Sequence, residues 1–174
     1  FRGIIVGAIG GGALGLAFKN KMQAYYFSLA GAIGFAIAFG LVISIDPDFV
    51  PGLGEVIIRL MGGPRSLSSF EIALAHGLGA GSFVGAFGGL ALGLAAPKGR
   101  IAASMLLCFT GTIWFANAFA FGNVIYDGNF HSAWNGWAGA IGGAIFGLTL
   151  AVFYKIYAKT HPGETIPAGT AIPV

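Results

Sequence analysis

Two histidines carry most of the capacity for chemistry in this sequence. His76 and His131 fall on the same side of a membrane, at loosely similar depth, once the chain is threaded as described below. An imidazole nitrogen is a good ligand for haem or a chlorophyll-type pigment, so a two-histidine site is geometrically allowed. The plainer alternative is that each is a hydrogen-bonding group at the interface. Glu71 is five residues from His76, off its helical face, so direct pairing is not expected. Cys108 is the only cysteine. It can form no internal disulfide and is too few for a thiolate metal site, so it reads as a small buried apolar residue. Asn117 is the one amide deep in an apolar segment, where a hydrogen bond between helices is its expected role. His161, in the tail, is given no role.

No carboxylate lies centrally in an apolar segment, which argues against a proton-driven pump or a rotary ring subunit. No zinc-protease motif, phosphate-binding loop, catalytic triad or Cys/His metal spacing is present. The candidate cofactor residues are therefore His76 and His131, with no catalytic or metal set.

The elements that would position these residues follow from composition. Of the 174 residues, 56% are hydrophobic and 9% charged. A soluble domain carries about 25% charged residues, so this surface must face lipid. The same poverty of charge excludes a disordered chain. Nine cations against six anions are too thin a surplus for nucleic-acid binding.

A bilayer core about 30 Å thick takes roughly 20 apolar residues in a helix. Five segments approach this: residues 2–18, 24–45, 70–96, 101–122 and 133–157. The chain opens on Phe1 rather than Met, so the first segment is expected to continue into residues upstream. Ser68 and Glu71 fit a capping box at the start of the third. Short connections at 19–23 and 97–100 make antiparallel hairpins of segments one and two and of three and four. The expected architecture is an all-α integral membrane domain over residues 1–160 with five transmembrane helices, followed by an extended cytoplasmic tail at 161–174.

Threaded in this way, Lys19, Lys21, Lys98, Arg100, Lys155 and Lys159 collect on one side. Arg2, Arg59 and Arg65 share the other with Asp46, Asp48, Glu55, Glu71 and Asp127. Lys and Arg accumulate in cytoplasmic loops, so the N-terminus is expected outside and the C-terminus inside, in a bacterial or organellar inner membrane. The long outer connection, 46–69, has two turns of helix over 55–61, with Glu55 and Arg59 paired, lying on the membrane surface. Tyr126, Trp134 and Trp137 on one side, and Tyr25, Tyr26, Tyr154 and Tyr157 on the other, read as interfacial belts.

The segments also repeat. Residues 6–17 recur at 84–95 and again at 138–149, in a shared glycine register. Residues 31–39 match 111–119 more loosely. This reads as two parallel-duplicated hairpins and half of a third. Gly7, Gly11 and Gly15 in the first segment, Gly81, Gly85, Gly89 and Gly93 in the third, and Gly139, Gly143 and Gly147 in the fifth are spaced four apart. Lipid offers no hydrophobic force between helices, so close van der Waals approach must bind them, and a smooth glycine face allows it. Glycine-zipper packing on helices one, three and five is therefore expected. The rival reading is a slot for a flat ligand.

Three functions from different classes fit. One is a non-catalytic structural or accessory subunit of a larger membrane complex, its 16 phenylalanines meeting other membrane subunits or copies of itself. The second is a small oligomeric channel or transporter, weakened by the lack of polar lining. The third is a haem- or pigment-binding redox or photosynthetic subunit using His76 or His131. The outer face, around 46–69, 123–132, His76 and Trp134, is the expected place for any function.

Overall fold

The computed structural model describes residues 2–17, 21–44, 49–63, 66–125 and 132–162. The described residues contain six helices and no strand: α1 (Arg2–Ala17), α2 (Lys21–Ser44), α3 (Phe49–Leu60), α4 (Ser69–Leu94), α5 (Arg100–Ile125) and α6 (Ser132–Thr160). Four of them, α2, α4, α5 and α6, are long and apolar enough to cross a membrane. The apolar helix α1 is shorter, at 16 residues. Large side chains such as Ile33, Ile37, Leu94, Phe109 and Leu148 are exposed along these helices, as suits a body whose solvent is lipid.

The capping box at the head of α4 is formed. Glu71 N–H donates to Ser68 Oγ at 3.4 Å, and Ser68 N–H donates back to the Glu71 carboxylate at 2.7 Å. These bonds satisfy donors at a helix terminus that lipid could not hydrate.

The helices close a ring in the order α1, α2, α4, α5, α6 and back to α1, with α3 packed outside on α4. Aromatic side chains fill the middle. Phe35 meets Phe115 with ring centroids 5.0 Å apart, and Phe115 continues to Phe119 at 6.0 Å and Phe146 at 6.3 Å. All four rings are at most 2% exposed. Phe39 joins them through Phe119 at 5.8 Å.

One register of close contacts serves both hairpins. A methyl group placed on Gly7 would strike the Gly31 carbonyl, and one on Gly31 would strike Gly7. Gly85 and Gly111 oppose each other in the same way. Along the same faces Gly3 meets Phe35, Gly11 meets Phe27 and Gly15 meets Ala24, while Gly81 meets Phe115, Gly89 meets Leu107 and Gly93 meets Ser104. Burial repeats as well, and in α6 too. Leu14, Leu92 and Phe146 are buried at equivalent positions, whereas Leu16, Leu94 and Leu148 are exposed. In α6, Gly139 and Gly143 lie against Val6 and Gly10 of α1, and Gly147 is buried.

These contacts gather Lys21, Lys98, Arg100, Lys155 and Lys159 at one end of the ring and Glu55, Arg59 and Glu71 at the other. Lys19, Asp46, Asp48, Arg65, Asp127 and the tail from 163 onward lie outside the described residues.

The expectations for Tyr154 and for the outer helix need correction. Tyr154 is 1% exposed, not part of an interfacial belt. Its hydroxyl donates to the Lys98 carbonyl at 3.2 Å, tying α6 to the turn between α4 and α5. A phenol in an apolar interior needs such a partner. Tyr25, Tyr26 and Trp137 are exposed; Tyr126 and the side chain of Trp134 lie outside what is described. The second correction concerns α3, which has 12 residues rather than two turns. Pro51 is accommodated in its first turn, where a missing N–H costs no intrahelical bond.

Candidate functional site

His76 is exposed, and its Nδ1 lies 2.9 Å from the Ile72 carbonyl one turn back on α4. A carbonyl only accepts, so Nδ1 is the donor in that bond. His131 lies outside the described residues, so the paired-histidine arrangement has only one described member. Glu71 is engaged with Ser68, as above. Among the described residues no group of three or more His, Cys, Asp or Glu side chains could hold a metal ion. Cys108 is a half-buried free thiol.

The ten glycines singled out by spacing are all buried. For those on α1 and α4 the atoms facing the missing side chain are mainly backbone atoms of α2 and α5. The space a side chain would need is taken by the neighbouring helix.

Polar side chains tie the ring at several joints. Ser28 Oγ of α2 donates to the Ala8 carbonyl of α1 at 3.1 Å, and Trp114 Nε1 of α5 donates to the Ala138 carbonyl of α6 at 3.2 Å. Asn123 Nδ2 of α5 donates to the Ala73 carbonyl of α4 at 3.3 Å. Sequence spacing puts Asn123 in a loop, whereas α5 runs to Ile125, beyond the expected end at 122. Asn117, expected to bond across helices, instead donates from Nδ2 to the Ile113 carbonyl of its own helix at 2.7 Å.

Asn117 borders a cleft of about 660 Å³ between α3, α4 and α5. Its walls are apolar, chiefly Ile58 of α3, Leu74 and Leu78 of α4, and Ile113 and Phe121 of α5, with Ser82 among the few polar groups. The roof exists because α3 runs lengthwise along the first half of α4. Phe49 meets Phe83 at 6.2 Å, and Gly54 is pressed on the Ala75 backbone. At its other end α3 is closed by a left-handed Gly62 at φ 87°, with Gly62 N–H bonded to Arg59 O at 3.0 Å and Gly63 N–H to Ile58 O at 2.9 Å. That pattern stops a helix sharply, and Gly62 and Gly63 themselves line the cleft. Sequence spacing points to no such cleft, since its lining comes from three helices.

Compared with protein-family models, with curated proteins and with solved structures, the chain gives no match.

Proposed function

We propose that this chain is a non-catalytic structural or accessory subunit of a larger membrane protein complex. In this reading α1 also spans, giving five crossings with the N-terminus outside and the C-terminus cytoplasmic. The hairpins α1–α2 and α4–α5 are duplicated, and the glycine faces act as a zipper between helices.

The observation that carries the reading is the filled centre. Phe35, Phe115, Phe119 and Phe146 occupy the middle of the ring, where a conducting protein would need polar lining. A rigid apolar body with Phe109, Phe121 and Trp137 exposed on its sides offers surfaces to other membrane subunits. Cations gathered at one end favour that end as the cytoplasmic one.

Gentle solubilisation followed by native mass spectrometry is the test. The expected result is an assembly containing polypeptides other than this 17.7 kDa chain. A homo-oligomer that conducts ions or solutes selectively in liposomes would overturn the proposal in favour of a channel. A haem or pigment absorption band lost on His76→Ala would overturn it in favour of a redox or light-harvesting role.

A further inference from the structure

We infer that the cleft between α3, α4 and α5 binds an uncharged lipid with a hydroxyl group on a long apolar body, the hydroxyl donating to Asn117 Oδ1. The inference goes beyond the structural role proposed above and does not depend on it.

Depth comes first. Asn117 is eight residues before the end of α5 at Ile125. At 1.5 Å per residue that is about 12 Å below the helix end, within the apolar layer rather than at headgroup level. Water is scarce there, and a polar atom without a partner is costly.

The chemistry of the amide follows. One Nδ2 hydrogen is used by the Ile113 carbonyl. Oδ1 can only accept, and no protein donor reaches it among the described residues. It therefore selects a ligand that brings an O–H. Ser82, across the cleft on α4, is 8% exposed and has a hydroxyl that can donate to the ligand oxygen. A hydroxyl is donor and acceptor at once, which matches a cleft offering both kinds of group.

Charge narrows the class. The lining has no Lys, Arg, His, Asp or Glu, so neither a phosphate nor an ammonium headgroup would find a counter-ion. Thr112 also lines the cleft, its hydroxyl donating to the Cys108 carbonyl at 2.8 Å; the rest is apolar, and the volume lies within the about 300–1,000 Å³ of small-molecule sites. Phe70, Ile113 and Phe121 on the rim are 58%, 50% and 62% exposed, so the ligand enters sideways from the lipid without crossing water.

The test uses the full chain in phosphatidylcholine nanodiscs with two probes, a diazirine-bearing long-chain primary alcohol and its methyl ether. Crosslinked positions are mapped by mass spectrometry. One hydrogen bond should favour the alcohol roughly two- to tenfold at the cleft residues of α3, α4 and α5. Asn117→Leu should bring the ratio to about one while both probes still label, the amide being replaced by a side chain of similar size. Leu78→Trp, which fills the cleft, should lower labelling by both. Equal labelling of the wild type by alcohol and ether would overturn the inference, leaving a groove that holds any acyl chain. A preference that survives in Asn117→Leu would overturn it too. Should a variant not fold, the wild-type ratio still decides.

Discussion

Substituting Gly85 and Gly12 separately by alanine should move stability in opposite directions. Both are helical glycines of the same repeat family, but a Cβ on Gly85 would run into the carbonyl of Gly111 and lie 2.8 Å from the Thr112 nitrogen. These are backbone atoms and cannot rotate away. Restoring an ordinary contact of 3.4–4 Å requires α4 and α5 to separate along their whole shared face. Overpacking costs about 1–3 kcal/mol, and a backbone obstacle puts this site near the top of that range. Alanine returns at most about 1 kcal/mol of helix propensity, so Gly85→Ala should be destabilised by about 1–2 kcal/mol. Gly12 has nothing within 4 Å of its added methyl, so Gly12→Ala keeps the gain without the clash. The two variants should differ by about 2–3 kcal/mol, roughly thirtyfold or more in the unfolding equilibrium. Reversible unfolding by dodecyl sulfate titration in bicelles measures the gap. Gly111→Ala should behave as Gly85→Ala does, and Gly7→Ala should match both. Equal midpoints for Gly85→Ala and Gly12→Ala would refute the packing argument.

Three further outcomes are expected. Tyr154→Phe should lose about 0.5–1.5 kcal/mol in the same titration, because the phenol bonded to Lys98 O is removed without a change of shape. Ser68→Ala breaks the capping box and should cost about 1 kcal/mol, with faster amide exchange confined to the first turn of α4. In a Cys108→Ala background, an impermeant thiol reagent should reach a cysteine at position 48 only from outside and one at 98 only from inside; the reverse pattern would sink the proposed orientation.

Features that depend on neighbours along the chain are legible in the sequence. The Ser68–Glu71 cap spans three residues, and its bonds follow from helix geometry alone. Apolar length likewise reveals the long helices, since 24 residues rise about 36 Å against a core of about 30 Å. Features that depend on which helix lies opposite are not legible in this way. Tyr154 has the spacing of a belt residue, and only the Lys98 carbonyl, 56 positions away, makes it an interior tie. Asn117 and Asn123 are both amides of α5. One is exposed and bonds to its own helix, while the other faces α4 and reaches Ala73. Depth in the apolar segment favours Asn117 as the cross-helix tie, whereas the facing surface decides for Asn123. The expected surface helix over 55–61 leaves out Gly54, yet Gly54 is pressed on the Ala75 backbone of α4.

The ring can be understood through the joints that seat one helix on the next. Helix α4 seats on α2 where Gly88 receives the ring of Phe35, and α6 seats on α5 where Gly142 receives the ring of Phe115. In each joint a glycine on one helix faces a phenylalanine ring on the other. On α6 the glycine face at Gly139 and Gly143 lies against α1. Helix α1 thereby closes the ring, with Gly10 lying against Gly139 and Gly143. Helix α1 therefore needs close approach on two sides: Gly3, Gly7, Gly11 and Gly15 toward α2, and Gly10 toward α6. Alanine at Gly10 would meet the Gly139 carbonyl at 3.0 Å, tight but not blocked, whereas alanine at Gly11 would strike the Phe27 backbone. The hairpin contact is thus the stricter of the two. Helix α1 holds its place between α2 and α6 because glycine lets both neighbours come to its backbone, where dispersion contacts are densest.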